Sequence, residues 1–207
     1  FISFVHIVNV VIISAMKRFI ISLLAILSAL TSYAQEHMTF KGVPIDGTLD
    51  AYVANMKKAG FTYLGTQDGV AMLQGDFAGY RGCTIGVITL KSIDLVNRIT
   101  VLFDSQETWS NLYGNYSSLK EMLTTKYGKH SECVEKFEGY TQPRDDNGRM
   151  HELLMDRCKY YTIWETDKGS IELDLIKGEF GNEGMVRLTY WDKTNTSSVQ
   201  EKALEDL

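Results

Sequence analysis

The chain is short of the residues that announce chemistry. Its 207 residues include 4 histidines and 3 cysteines. No CxxC pair occurs, which removes the basis for a thioredoxin-like redox role. His151-Glu152 opens the zinc-protease word HExxH, but position 155 is Met, so the second ligand one helical turn on is missing. The G-x-S-x-G elbow, the P-loop and the dinucleotide fingerprint are absent as well. No cofactor or metal is therefore expected. Asp145, Asp146 and Glu152 lack EF-hand spacing and read as a solvated acidic stretch. His130, just past a helix end, reads as a dipole-compensating cation when protonated. Basic residues are in the minority, 21 Lys and Arg against 26 Asp and Glu. An acidic chain without a basic stripe is a poor partner for nucleic acid or anionic lipid.

Long apolar runs are scarce too, and the one present has a specific context. Met16-Lys17-Arg18 supplies positive charge, Phe19 to Leu30 is almost unbroken apolar sequence, and Ser32-Tyr33-Ala34 offers small residues. That order is a secretory signal peptide, and the run is too short for a comfortable membrane span. Cleavage is expected before Gln35, with residues 1–15 read as sequence upstream of a start at Met16. The alternative is a signal anchor lengthened by Val5 to Val11, but Lys17 and Arg18 interrupt it. No cysteine sits at the cleavage point, which argues against a lipoprotein. A periplasmic or secreted location follows, with no membrane span after cleavage. Loss of Lys17 and Arg18 takes the formal charge from −5 to −7.

The exported part, 35–207, is long enough for one domain with a sizeable core. It is organised around a repeated strand. Val96 to Asp104 and Met185 to Asp192 both alternate apolar and polar residues at period two, and Arg98-Ile99-Thr100 matches Arg187-Leu188-Thr189. A second echo sets Lys136 to Tyr140 beside Asp76 to Tyr80. Thr48 caps a helix that buries Leu49, Tyr52, Val53 and Met56 and stops at Gly60. A longer helix, Gln106 to Tyr127, is capped by Ser105 or Asp104. It carries Trp109, Leu112, Tyr116, Leu119 and Leu123 at spacings of three and four, and ends at Gly128. Strands are expected over Phe61 to Leu64, Val70 to Gln74, Thr84 to Leu90, Val96 to Phe103, Tyr160 to Thr166, Ser170 to Ile176 and Met185 to Trp191. Thr141 to Arg149 reads as an exposed loop, and Val199 to Leu207 as a short terminal helix. The resulting class is α+β: two αβββ units, 35–104 and 105–192, form a mostly antiparallel sheet with two helices packed on it, followed by a tail, 193–207.

Two αβββ units in tandem resemble the β-lactamase-inhibitor-protein-like folds. The opening Phe40 to Asp50 and the Lys126-Tyr127-Gly128 after the second helix look like secreted proteins of gut Bacteroidales. The resemblance spans the exported chain and implies a fold, with no catalytic residues.

Three sets of residues remain as candidates. Cys133 and Cys158 flank the polar excursion, where a disulfide would close a loop worth roughly 3 kcal/mol in the chain-entropy model. Cys83 is then a buried free thiol. Glu165, Glu172 and Asp174 read as solvent-facing strand residues. Tyr160, Trp164 and Trp191 read as an aromatic set on the sheet face away from the main core, able to stack on sugars or anchor a partner. The function expected is a non-enzymatic binding or interaction module of the cell envelope for a protein or peptide. The alternative is a glycan-binding or carbohydrate-acting secreted protein, and a hydrolase with an unrecognised site ranks third.

Overall fold

The computed structural model describes residues 37–90, 93–139, 142–178 and 181–204. The expected signal peptide and Tyr140 lie outside them. Among the described residues four helices and ten strands occur, in the order β1 (Thr39–Phe40), β2 (Val43–Pro44), α1 (Leu49–Lys58), β3 (Thr62–Gln67), β4 (Val70–Phe77), β5 (Tyr80–Leu90), β6 (Ile93–Leu102), α2 (Trp109–Tyr127), β7 (Glu132–Phe137), α3 (Asp146–Leu154), β8 (Cys158–Thr166), β9 (Gly169–Lys177), β10 (Gly184–Asp192) and α4 (Lys193–Leu204). None of these helices is long and apolar enough to cross a membrane.

Eight strands form one antiparallel sheet in the order β3-β4-β5-β6-β10-β9-β8-β7, and β1 pairs with β2 alone. The class is thus α+β, with helices laid on the sheet. Each half contributes four strands after its helix, one more than the αβββ count. The two halves meet at β6 and β10, the strands that carry the matching sequences. Thr100 pairs with Thr189, flanked by Arg98 opposite Trp191 and Leu102 opposite Arg187. Arg98 and Arg187 therefore hold equivalent places about a local dyad through the threonine pair.

Alternation decides the layers. Leu73, Ile85, Val87, Ile99, Val101, Leu173, Leu188 and Tyr190 are buried on one sheet face. Helix α1 packs on that layer over the β3 to β6 half, and α2 packs over β8 to β10. The cap of α1 is Thr48 as expected, its hydroxyl accepting from Ala51 N at 3.3 Å, and Asp94 accepts from Leu49 N at 2.8 Å. At the other end of the chain, buried Asn195 in α4 donates to the carbonyls of Ile45 and Val96, tying the tail to the N-terminal hairpin and to β6.

Four expectations are corrected. The cap of α2 is Thr108, not Ser105 or Asp104, because its hydroxyl accepts from Asn111 N at 3.4 Å. The stretch Thr141 to Arg149 is not a loop throughout. Its turn-forming residues start α3, with Asp145 accepting from Gly148 N at 2.7 Å, and Met150 and Leu153 are buried. Cys133 and Cys158 are both free. Cys133 lies opposite Thr162 and Cys158 opposite Phe137, an offset of four residues that separates them by roughly 13 Å at a strand's rise per residue. A disulfide needs Cα atoms within about 7 Å. The echo of Phe77 in Phe137 does not mark equivalent sites, since Phe77 ends the second strand of its half and Phe137 the first.

Candidate binding face

The sheet face opposite α1 and α2 carries three cross-strand rungs, read directly from the register. The first runs Val70, Ile88, Arg98, Trp191, Ser170, Glu165. The second runs Met72, Gly86, Thr100, Thr189, Glu172, Ile163. The third runs Gln74, Thr84, Leu102, Arg187, Asp174, Tyr161. Most of these side chains are half-buried or exposed, in contrast to the sealed layer behind them.

A concavity of about 340 Å³ opens over the middle of the rungs. Gly86 forms its floor. A Cβ there would meet Val70, Ile88 and Met72 only at 3.7 to 3.9 Å, so the missing side chain leaves usable space rather than relieving a clash. Val70, Met72, Ile88 and Leu102 give the apolar wall, and Arg98, Arg187, Glu172 and the two threonines give the polar one. The threonine hydroxyls lie 3.4 Å apart, a long contact that leaves both with hydrogen-bonding capacity.

The two arginines are in different states. Arg187 grips Asp174 with both ends of its fork, Nε to Oδ1 at 3.0 Å and Nη2 to Oδ2 at 2.5 Å. That hydrogen bonding holds its guanidinium more firmly charged, while burial pushes the Asp174 carboxyl up despite the guanidinium beside it. Arg98 makes no ion pair among the described residues. Its guanidinium carbon sits 4.4 Å over the Trp191 ring, and its Nε is buried without a hydrogen-bond partner. Burial, and then repulsion from Arg187, lowers its hold on its proton. Glu172 is pushed above the usual carboxylate range by burial and by the neighbouring Asp174.

The three aromatics do not form one patch. Trp191 is on this face, but Arg98 covers its ring. Trp164 pairs with Ile171, not with a residue of the open face, and is 1% exposed in the core, its Nε1 donating to Gly128 O at 3.2 Å. Tyr160 shares that inner side, 5.1 Å from the Trp109 ring and 5.3 Å from Phe137. It borders a separate cleft of about 490 Å³ with Tyr113 and Arg149. The difference arises because strand alternation says which residues share a side within one strand. Only the register says how sides match between strands. Of the carboxylates, Asp174 is buried in its ion pair rather than solvent-facing. His151 lies exposed on α3, and Glu152 is clamped by Arg157 at 2.8 and 3.0 Å. In the sequence Arg98 and Arg187 stand out as markers of the repeat and not as a site. A cation repeated at the centre of a β-branched strand was the available signal.

Fold and face together define an α+β domain with α1 and α2 on one side of its sheet and a charged concavity on the other. No family model matches the chain, and no curated protein and no solved structure matches it.

Proposed function

We propose that the chain is an exported, non-enzymatic binding module, and that its ligand meets the open sheet face at the concavity over Gly86, Thr100 and Thr189. Arg98 carries this reading. A half-buried guanidinium with no ion pair among the described residues is costly to leave unmatched, and a ligand bearing an anionic group would pair with it from the concavity. The lining contains no serine, cysteine, histidine or lysine, and its hydroxyls are those of Thr100 and Thr189, 3.4 Å apart. Export is supported by the charge, apolar and small-residue order of residues 16–34.

The glycan alternative keeps one specific observation. Tyr113 is 38% exposed beside Tyr160 at the second cleft, one side of its ring stacked at 6.1 Å on Trp109 and the rest open to a sugar. Trp191 is not free in this way. Backbone NMR of the labelled protein against a panel of small anions and oligosaccharides separates the two readings. Anion-induced shifts at Gly86, Thr100 and Thr189 that disappear in Gly86→Leu are expected. Shifts confined to Tyr113 and Tyr160 with oligosaccharides favour the alternative. A dimer in which the open face is buried against a second copy overturns the proposal.

A further inference from the structure

Resting on that reading, we propose that the ligand of the open face is a monocarboxylate with an apolar body, its carboxylate held by Arg98 and the Thr100 and Thr189 hydroxyls. Charge limits the ligand to one anionic group. Arg187 is already matched by Asp174, so one guanidinium is left unmatched. Glu172, beside Thr189 on the same rung, opposes negative charge in proportion to its amount, so a dianion is disfavoured more than a monoanion. A guanidinium fork donates side by side to two oxygens of a carboxylate or a phosphate, and of the two the carboxylate carries the single charge that this face can match. The apolar part is set by the other half of the concavity. Val70, Met72 and Ile88 stand around Gly86 and offer it no charged neighbour on β4 or β5. Methionine adapts to ligands of different outline. The volume is near the lower end of the range for small-molecule sites, which fits a short acid.

The carboxylate can come from a free acid or from the end of an apolar peptide, and both present the same group. The test is a methyl- and arginine-labelled NMR titration of the protein with octanoate, octanamide and octyl phosphate. N-acetyl-Leu-Phe and its C-terminal amide run beside them. Octanoate is expected to shift the Met72 and Ile88 methyls and the Arg98 Nε–H signal, and to bind at least about ten-fold more tightly than octanamide. Arg98→Gln should reduce octanoate to the level of octanamide, and Gly86→Leu should abolish both. The tighter of octanoate and the free-acid dipeptide identifies the source, and either supports the proposal. Octanamide or octyl phosphate matching octanoate in the wild-type protein overturns the monocarboxylate assignment while leaving the face as a ligand surface. Silence of these signals with every compound overturns both this assignment and the binding-face reading. The wild-type comparison alone decides the outcome if Arg98→Gln fails to fold.

Discussion

Trp164→Ala distinguishes a core residue from a recognition residue by energy alone. The indole is 1% exposed, and its N–H holds the Gly128 carbonyl that ends α2. Truncating a buried tryptophan costs about 3–5 kcal/mol in lost transfer energy and residual cavity. Releasing the Gly128 carbonyl from its bond adds about 1 kcal/mol. The sum is a large part of the roughly 5–15 kcal/mol that holds a domain folded. At about 2–4 °C per kcal/mol for a domain of this size, the midpoint falls by about 10–20 °C. Trp164→Phe keeps most of the ring and loses the hydrogen bond, for about 1–3 kcal/mol. Trp191→Ala removes a half-buried ring and its contact with Arg98, for about 1–2 kcal/mol. Urea unfolding followed by far-UV circular dichroism, with calorimetry for the midpoints, measures all three. If Trp164→Ala shifts the midpoint by less than about 3 °C, or Trp191→Ala costs more than Trp164→Ala, the assignment of Trp164 to the core is wrong.

Gly169→Ala should destabilise by at least about 2–3 kcal/mol in the same assay. Gly169 has φ 153°, and a Cβ there would lie 1.9 Å from the Trp191 carbonyl oxygen; a variant of wild-type stability would contradict that approach. Glu172→Gln tests the pH dependence. Burial raises its folded value above the unfolded one, so the carboxyl is harmless below the ordinary range and becomes a penalty as pH rises from that range to the folded value. The variant should therefore melt higher than wild type near pH 7 and equally near pH 3, in melts across that range; an equal gain at both ends refutes the account. Mass spectrometry without reductant should find three thiols and no peptide joining Cys133 to Cys158. Iodoacetamide should label Cys133 first, because Cys83 is 1% exposed and burial pushes the Cys158 thiol up to about 12. Earlier labelling of Cys83 or Cys158 would count against the packing of these strands.

Much of the fold was legible because it is written in local chemistry. Thr48, the spacing of Leu49, Tyr52 and Met56, and Gly169 in the β8–β9 turn each determine their element from a few neighbouring residues. The repeat at Arg98 and Arg187 marked equivalent strands of the two halves, which the register then pairs with each other. What was misread depended on contacts between distant segments. Asp145 and Asp146 look like loop residues until α2 is placed, when Asp146 is seen to accept from Ser110 N at 3.0 Å and from its hydroxyl at 2.8 Å. Trp164 and Trp191 follow equally good alternating patterns. Their separation onto opposite faces depends on Trp164 meeting Ile171 and Trp191 meeting Arg98, and no single strand contains that information.

The same register shows how a duplicated sheet acquires a site. The dyad through Thr100 and Thr189 makes Gly86 the counterpart of Glu172 and Ile88 the counterpart of Asp174, since each pair faces equivalent positions of β6 and β10. A perfectly symmetric face would hold two arginines with identical neighbours, both paired or both bare. Two differences break that balance. Asp174 neutralises Arg187, while Ile88 offers Arg98 nothing. Glu172 occupies its end of the middle rung, while Gly86 leaves the other end open. The concavity, its apolar wall and its one unmatched cation therefore lie toward the same half of the sheet. They arise from the positions at which the halves diverge rather than from those they share. A ligand that exploits them must be asymmetric in the same sense, charged where it meets Arg98 and apolar where it crosses Gly86.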